Sequence, residues 1–289
     1  MKTRILITGS TGFVGRQVVK AFSADSTQLR LVVREGKEKE AQTMRNDAEI
    51  LSTKDLFTES SEWWRLQCTN IDIVIHVAWY AEPGKYLESP KNLDCLIGSL
   101  HLVKGALDAG VKRIVGIGTC FEYDLSAGVL SVKTPIKPLT PYAASKAALF
   151  MSLEQAVPNG GATFAWCRLF YLFGEAEDLR RLVPHLRSQL KKGKRVALTS
   201  GKQIRDFLDV ADAGRMIADI ALGDQVGPVN ICSGTPISVR QLAEKIADEY
   251  GRRDLLQFGA RANNQIDPPY ILGVPNINVN KATNESAHL

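Results

Sequence analysis

The stretch Thr8-Gly9-Ser10-Thr11-Gly12-Phe13-Val14-Gly15 decides the fold of the N-terminal part of this chain. A short run rich in isoleucine, residues 4–7, precedes it and predicts a buried strand. A helix-like segment, residues 16–22, follows it. A strand, a glycine turn and a helix in this order direct backbone N–H groups and the positive end of the helix toward a phosphate.

Three glycines give this turn its expected properties. Gly9 permits a tight turn, Gly12 allows a pyrophosphate to approach the backbone, and Gly15 lets the helix pack closely on the strand. Their spacing is Gly-x-x-Gly-x-x-Gly, whereas most dehydrogenases have Gly-x-Gly-x-x-Gly. We predict that the loop binds a dinucleotide, and the further contacts expected from it are Thr11, Phe13 and Val14.

Further apolar runs extend this unit into a sheet. They predict strands at residues 29–33, 71–77, 113–118, 164–169 and 229–232. Leucine, isoleucine and valine repeat at helical spacing between residues 93 and 107 and predict a long packed helix. The almost wholly apolar strand at 71–77 is typical of a sheet that is covered on both faces. The pattern therefore predicts an α/β fold with a doubly wound, Rossmann-like parallel sheet.

Composition excludes several classes of protein. The chain has 289 residues, 45% of them hydrophobic, and can bury a full core. Its net charge of +5 is spread out, which argues against nucleic-acid binding. No apolar run approaches the roughly 20 residues of a membrane span. Five cysteines without Cys-x-x-Cys spacing and four scattered histidines predict reduced thiols, a cytoplasmic protein and no metal site.

The end of the second predicted strand bears on the choice of cofactor. In NAD-binding folds an acidic residue about 20 residues beyond the loop holds the ribose 2′-hydroxyl. Arg34 occupies this region, and a guanidinium can bind a 2′-phosphate through paired hydrogen bonds. Glu35 is the competing residue, so we favour NADP(H) and keep NAD(H) as the alternative. Asp55 and Leu56 are expected near the adenine edge.

The carboxyl ends of other strands supply further candidates. Val77, Ala78 and Trp79 fall at the end of the strand at 71–77, where open α/β sheets bind ligands. Leu169 ends the strand at 164–169 and is assigned to the cofactor site as well. His76 lies within an apolar run, and we interpret it as a core histidine with satisfied hydrogen bonds.

A tyrosine and a lysine lie four residues apart in Pro141-Tyr142-Ala143-Ala144-Ser145-Lys146. This spacing places Tyr142 and Lys146 on one face of a helix, one turn apart. The Lys146 ammonium is expected to lower the pKa of the Tyr142 phenol from about 10, which suits carbonyl reduction or alcohol oxidation. Thr119 ends the strand at 113–118 and can hydrogen-bond a substrate carbonyl. The predicted catalytic residues, of which the last two also contact the cofactor, are Thr119, Tyr142 and Lys146.

With these motifs the chain resembles the extended short-chain dehydrogenase/reductase family, in its branch of NAD(P)-dependent sugar-nucleotide epimerases, dehydratases and reductases. The resemblance extends from Thr8 to about Pro275. It rests on the glycine loop, on Val74-Ile75-His76-Val77-Ala78, on Gly118-Thr119-Cys120-Phe121-Glu122-Tyr123 and on the Tyr142–Lys146 pair. Two later segments, 168–174 and 204–210, are similar to the segment leading into the sugar-binding domain and to one with a diphosphate-binding arginine.

The resemblance implies a nucleotide-diphosphate sugar as the substrate. It assigns Arg205 and Arg261 to the diphosphate and Tyr171, which replaces an asparagine, to the region of the sugar phosphates. Thr119 and Tyr142 complete the implied substrate contacts. It also implies two domains: residues 1–170, rejoined by about 205–232, bind the dinucleotide, and 171–204 with 233–289 form a smaller C-terminal sugar-nucleotide-binding domain.

Departures from the family pattern disfavour one of the reactions that the family catalyses. Dehydratases of this branch carry acidic residues directly after the catalytic threonine, where this chain has Cys120-Phe121. A thiol beside an aromatic ring is poorly suited to that acid–base role, so a 4,6-dehydratase is disfavoured. Cys95 also stands where the family often has an asparagine.

The sequence thus predicts an NADPH-dependent reduction of a keto group, at C4 of a nucleotide-linked 4-keto-6-deoxy sugar. One alternative is a sugar-nucleotide 4-epimerase that retains NAD, and another is a non-catalytic dinucleotide-binding sensor. The family resemblance further implies a homodimer through the helix at 93–107 and the helix after Tyr142, whose apolar residues include Ala147, Phe150 and Leu153. The tail from Lys281 is polar and expected to be loose.

Overall fold

The computed structural model describes residues 2–262 and 268–277. The polar tail from Lys281 and the end of the predicted C-terminal domain lie outside the described residues.

The described strands are β1 (Thr3–Thr8), β2 (Thr27–Arg34), β3 (Glu49–Thr53), β4 (Ile73–His76), β5 (Arg113–Thr119), β6 (Val129–Leu130), β7 (Thr163–Leu169), β8 (Tyr171–Phe173), β9 (Val196–Leu198), β10 (Ile204–Asp209), β11 (Gly227–Ile231), β12 (Pro236–Ser238), β13 (Leu256–Phe258) and β14 (Leu272–Gly273). The described helices are α1 (Phe13–Ala21), α2 (Glu38–Met44), α3 (Ser61–Gln67), α4 (Lys91–Asp108), α5 (Pro141–Asn159), α6 (Leu182–Lys191), α7 (Val210–Leu222) and α8 (Val239–Asp248).

A seven-stranded parallel sheet forms the centre of the molecule. Its order is β3-β2-β1-β4-β5-β7-β11, and neighbouring strands pair in parallel. The strand order reverses between β1 and β4, and in such sheets the ligand crevice lies at the carboxyl ends of these two strands. The predicted doubly wound parallel sheet is confirmed, and the predicted strands differ from the observed ones by one or two residues at their ends.

Helices cover both faces of this sheet because strand side chains alternate between the faces with a period of two. Ile5 and Ile7 of β1 pack in the core that includes α1 and α7. Leu6, which lies between them, packs in the core that includes α3, α4 and α5. Each face therefore has its own hydrophobic core, and the strand ends stay free to form a site.

A third, smaller core lies outside the sheet. Val183, Leu186 and Leu190 of α6 pack there with Leu242 and Ile246 of α8, and β9 pairs with β13 in the same region. Two separate excursions of the chain build this core. The domain boundaries inferred from the family resemblance stay a prediction.

Some apolar residues of α4 and α5 lie in the core and others on the surface. Helical spacing in the sequence does not show which residues are which. The assignment of Ala147, Phe150 and Leu153 to an interface is wrong, because all three are buried within the protein itself. Phe150 and Leu153 belong to the core on this face of the sheet. Phe150 faces the sheet and packs on Phe164 and Trp166, with ring centroids 6.4 and 6.0 Å away. The exposed large apolar residues of these two helices are Leu93, Ile97, Leu100 and Met151.

Candidate active site

The glycine loop between β1 and α1 has a backbone that only glycines fit. Gly9 has a φ of +70°, and a Cβ there would lie 2.7 Å from the Ala78 nitrogen. A Cβ on Gly15 would lie 2.1 Å from the Gly9 carbonyl oxygen. Gly12 is the N-cap of α1 and donates its N–H to the Gly9 carbonyl at 3.0 Å. The loop thus forms a cradle of bare backbone, around which half-buried residues lie at Thr11, Phe13 and Val14.

A buried hydrogen-bond chain holds the ends of β1 and β4 together below this loop. Thr8 Oγ1 lies 2.8 Å from Nδ1 of His76, and His76 Nε2 lies 2.7 Å from Ser99 Oγ. Ser99 donates to the Cys95 carbonyl at 2.6 Å, so it accepts from Nε2–H of His76. Burial lowers the pKa of His76 to about 3 and keeps the ring neutral. His76 is therefore a core histidine, as predicted.

The residues expected around the adenine ribose lie at the carboxyl ends of β2 and β3. Arg34 and Glu35 are both exposed, and the Glu35 N–H donates to the Thr53 carbonyl at 3.0 Å. Asp55 is exposed and accepts a hydrogen bond from the Phe57 N–H at 3.0 Å, whereas Leu56 is half-buried against the core.

The sequence prediction did not include Arg16, which lies beside this region. Its Nη2 donates to the Thr11 carbonyl at 2.8 Å and to Glu40 at 2.9 Å. A second guanidinium is thus held against the glycine loop. In the sequence, the position of Arg16 directly after Gly15 is the feature that could have indicated this role.

Thr119, Tyr142 and Lys146 come together at the carboxyl end of β5. Thr119 ends this strand, and its hydroxyl lies beside the Tyr142 phenol and lowers the pKa of that phenol. Tyr142 is half-buried in the first turn of α5, which Thr140 caps by accepting a hydrogen bond from the Ala143 N–H at 3.2 Å. One turn later, the buried Lys146 ammonium donates to the Ile117 carbonyl at 2.6 Å. Strand and helix thus bring together the three predicted catalytic side chains, whose roles stay predictions.

The electrostatics of this group differ from the sequence prediction. Burial raises the pKa of Tyr142 above its usual value, and the nearby Tyr86 and Glu122 raise it further, while the Thr119 hydroxyl lowers it. The expected lowering of the phenol pKa by Lys146 is wrong for this arrangement. Burial lowers the pKa of Lys146 itself to about 7, so its amine loses part of its charge near neutral pH.

Aromatic side chains form a wall beside Tyr142. The Trp79 and Tyr86 rings meet the Tyr142 ring edge to face, with centroids 6.4 and 4.8 Å away. The Lys146 ammonium lies 3.8 Å from the centroid of the Trp79 ring, a cation–π contact. Trp79 also donates its indole N–H to Asn92 at 2.8 Å, which fixes the ring. Sequence reasoning missed Tyr86 and Asn92, because neither belongs to a recognisable motif.

The remaining cofactor candidates lie at the ends of β4 and β7. Val77 and Leu169 are half-buried, and Ala78 is buried with its N–H 3.3 Å from Thr8 Oγ1. They line the same carboxyl edge of the sheet as the glycine loop.

The three substrate candidates outside the catalytic group lie in different environments. Tyr171 is half-buried and packs on Phe121 and Phe207, with ring centroids 6.1 and 5.9 Å away. Arg205 is only 2% exposed, and its guanidinium lies 5.2 Å from the Tyr171 ring. Arg261 is exposed, and its N–H donates to the Leu198 carbonyl at 3.0 Å. The structure therefore brings Arg205 and Tyr171 into contact, while their ligands stay predictions.

Glu122 is a further residue at this site that the sequence did not single out. It is fully buried beside Thr119 and forms a 2.7 Å ion pair with Arg168 of β7. A glutamate three residues after a threonine is a capping-box pattern. This pattern is the sequence feature that could have identified Glu122.

Two features are absent from the described residues. Within 2–262 and 268–277, no group of three His, Cys, Asp or Glu side chains is arranged to hold a metal ion. No helix in these ranges is long and apolar enough to cross a membrane. All five cysteines are buried free thiols.

Comparisons with known proteins agree with this arrangement. A model of the NAD dependent epimerase/dehydratase family matches residues 5–232. The dTDP-6-deoxy-L-talose 4-dehydrogenase (NAD(+)) of Aggregatibacter actinomycetemcomitans is 25% identical over 85% of this chain and 90% of its own length. The GDP-6-deoxy-D-mannose reductase of Pseudomonas aeruginosa is 26% identical over 86% of this chain and 80% of its own length.

Solved structures share the fold. A UDP-N-acetylglucosamine 4-epimerase from Methanobrevibacter ruminantium in complex with UDP-N-acetylmuramic acid has a TM-score of 0.81 at 22% identity, over 95% of this chain and 90% of that one. The Thermus thermophilus UDP-glucose 4-epimerase in complex with NAD has a TM-score of 0.78 at 22% identity, over 94% and 91%. Because the family model spans the glycine loop, Thr119, Tyr142 and Lys146, the protein belongs to the NAD dependent epimerase/dehydratase family and is a sugar-nucleotide-modifying enzyme.

Proposed function

We propose that this enzyme uses NADPH to reduce the C4 keto group of a nucleotide-linked 4-keto-6-deoxy sugar. The observation that carries the proposal is the grouping of Thr119, Tyr142 and Lys146 at a sheet edge next to a glycine cradle. Two relatives named for oxidation or reduction of nucleotide-linked 6-deoxy sugars support this reaction class.

The residues after Thr119 favour reduction over dehydration. Cys120 is buried, and burial raises the pKa of its thiol, so it stays protonated near neutral pH. The Phe121 ring packs on Tyr171. Neither side chain supplies the carboxylate or carboxylic acid that removal of water from C5 and C6 requires.

The residues of the glycine cradle fit a dinucleotide, because Gly12 leaves the N-terminus of α1 without a side chain where a pyrophosphate must approach. Gly9 and Gly15 allow the tight turn and the close packing that shape this cradle. The nicotinamide supplies the hydride for the carbonyl carbon. Arg34, exposed at the end of β2, supports a preference for NADP(H) over NAD(H) through a charge-assisted bond to the 2′-phosphate.

Tyr142 then donates the proton to the carbonyl oxygen. Its phenol is held in the protonated form by burial, which is the form that a reduction consumes. Thr119, whose hydroxyl lies beside Tyr142, orients the carbonyl. Lys146 is held below Trp79, where it binds the nicotinamide ribose.

The sugar nucleotide occupies the side of the cleft toward the core formed by α6 and α8. Arg205 and Arg261 bind its diphosphate, and Tyr171 lies near the sugar phosphates, as the family resemblance implies. In this proposal, 1–170 with about 205–232 binds the dinucleotide and 171–204 with 233–289 binds the substrate. The enzyme acts in the cytoplasm as a homodimer.

The test is to measure NADPH and NADH oxidation with a panel of nucleotide-linked 4-keto-6-deoxy sugars. We expect turnover with at least one sugar, and faster turnover with NADPH at limiting cofactor. Purified protein that retains NAD and converts sugar epimers without added cofactor would instead identify a 4-epimerase. Cofactor binding without conversion of any sugar nucleotide would favour the sensor alternative.

A further inference from the structure

The turn after β5 buries a carboxylate directly behind the candidate catalytic residues. Glu122 has no exposed surface, and it closes the turn Cys120–Glu122 by accepting the Thr119 N–H at 2.8 Å. The Thr119 hydroxyl in turn accepts the Phe121 N–H at 3.3 Å and lies beside Tyr142. The position of Thr119 therefore depends on Glu122.

The contacts of Glu122 indicate that it is ionised. Its two oxygens accept hydrogen bonds from the Thr119 N–H, from Trp166 Nε1 at 3.0 Å and from Arg168 Nε at 2.7 Å. All of these groups are donors, and a protonated carboxyl would turn its own proton against one of them. Burial raises the pKa of Glu122, and Arg168 opposes that rise.

Arg168 connects this carboxylate to a buried polar network. Its Nη1 lies 3.0 Å from the Tyr123 hydroxyl, which donates to Asn230 Oδ1 at 2.7 Å. The Asn230 amide donates to the Leu130 and Val274 carbonyls at 2.9 and 3.0 Å. Strands β5, β7 and β11 and the segment after β14 are thereby joined at the level of the catalytic group.

Stability alone accounts poorly for this arrangement. Removal of two charges from water offsets most of the attraction within a buried ion pair, so apolar residues of similar volume are often as stable. Within the described chain, Arg168 Nη2 also has no hydrogen-bond partner although it is buried. An incompletely satisfied buried pair next to a reactive centre points to a functional role.

Glu122 also acts on the proton-transfer groups through its charge. The titratable groups that face Lys146 from other elements are His76 on β4, Cys95 on α4 and Glu122. Burial keeps His76 neutral, and burial raises the pKa of Cys95 to about 11 and keeps its thiol protonated. Of these groups, Glu122 is the one charged near neutral pH, and its negative charge raises the pKa of Lys146 against the effect of burial.

We propose that Glu122, held by Arg168, is a positioning residue that fixes Thr119 beside Tyr142. The charge of the same carboxylate raises the pKa of Lys146 against the effect of burial, which provides a second readout of its role. Its effect on turnover rests on the proposed function, but its effect on Lys146 does not. The two are therefore tested by separate measurements.

The first measurement needs no substrate. In protein labelled with ¹³C-lysine, the Cε chemical shift of Lys146, assigned by its absence in Lys146→Met, follows the protonation of the amine. We expect a midpoint at about 7 in the wild type. In Glu122→Gln the midpoint falls by about one pH unit, because a nearby negative charge has been removed. Asp206→Asn is the matched control, since it neutralises another buried carboxylate and leaves the Lys146 midpoint unchanged.

The second measurement is turnover. Glu122→Gln lowers kcat on the order of 100-fold through displacement of Thr119, with little change in the KM for the cofactor. Glu122→Asp keeps the negative charge, so the Lys146 midpoint stays near that of the wild type. Its side chain is too short to accept the Thr119 N–H, so kcat falls.

An unchanged Lys146 midpoint or a wild-type kcat in folded Glu122→Gln overturns the proposal. If Glu122→Gln does not fold, a wild-type kcat in Glu122→Asp overturns it. If the wild type converts no sugar nucleotide, the proposed function fails, and the Lys146 titration still decides the role of Glu122.

Discussion

At the scale of single residues, the protonation state of Tyr142 bears on the proposed reaction. Its burial and the neighbouring Tyr86 and Glu122 raise the pKa of the phenol, so the phenol stays protonated in the neutral range. A donor is what reduction of a carbonyl requires. Oxidation would require the phenolate, which this environment disfavours until a bound cofactor and substrate change it.

Replacement of Tyr142 by phenylalanine tests its role as the acid. We expect Tyr142→Phe to fold and bind cofactor as the wild type does, and to lose about 10²–10⁴-fold in kcat. Tyr86→Phe is the matched control, because it removes a hydroxyl from a ring 4.8 Å away in the same wall. Steady-state kinetics of both variants measure their kcat values against that of the wild type. Retention of more than about a tenth of wild-type kcat in Tyr142→Phe contradicts the assignment.

Arg34 tests the cofactor preference. Loss of its guanidinium in Arg34→Ala should weaken NADPH binding about tenfold, equivalent to about 1.4 kcal/mol, and leave NADH binding unchanged. Glu35→Ala removes the competing carboxylate and should strengthen NADPH binding. Fluorescence titration of both reduced cofactors into the wild type, Arg34→Ala and Glu35→Ala measures the six affinities. Equal affinities of the wild type for the two cofactors would show that Arg34 does not determine a cofactor preference.

At the scale of secondary-structure elements, the contact between β1 and α1 leaves no space at Gly15. In Gly15→Ala the new methyl would lie 2.1 Å from the Gly9 carbonyl oxygen, so the loop must shift. We expect a loss of about 1–3 kcal/mol in the free energy of unfolding and a loss of dinucleotide binding.

Gly161→Ala is the control for this prediction. Gly161 has a φ of +79° with open space around it, so alanine there costs about 1–2 kcal/mol of backbone strain without overlap. Urea unfolding and cofactor titration compare the variants. Wild-type cofactor affinity in Gly15→Ala would contradict the assignment of this loop to the pyrophosphate.

At the scale of the whole molecule, α4 and α5 present the surface on which the predicted homodimer depends. Leu93 and Ile97 are 61% and 53% exposed on α4, and Met151 is 60% exposed on α5. These side chains lie on the side of the sheet that carries α3, α4 and α5. Two copies that meet through this surface would bury it across a two-fold axis.

A charge in this surface tests the dimer. Ile97→Asp should give a folded monomer at micromolar concentration, because an unpaired carboxylate opposes burial at an interface. Leu222→Asp changes a residue of similar exposure on α7, which packs on the opposite face of the sheet, and should stay dimeric. Light scattering gives the mass of each variant. A monomeric wild type would contradict the prediction.

Local patterns in the sequence determined much of this protein. Strands β1, β2, β4, β5 and β7, the helix α4 and the glycine turn are all predicted from alternation, helical spacing and the backbone freedom of glycine. These features depend on residues close together in the chain. The Tyr142–Lys146 pair belongs with them, since its geometry follows from one turn of a helix.

Other properties were decided by the tertiary structure alone. Glu122 and Arg168 lie 46 residues apart, and nothing local indicates that they form a buried pair behind Thr119. The rise in the pKa of Tyr142 arises from burial beneath Tyr86, a residue on a different segment. Helical spacing likewise predicts an apolar α5 without showing that Phe150 faces the sheet and Met151 the solvent. Hydrophobic pattern depends on neighbours in sequence, whereas burial and electrostatics depend on neighbours in space.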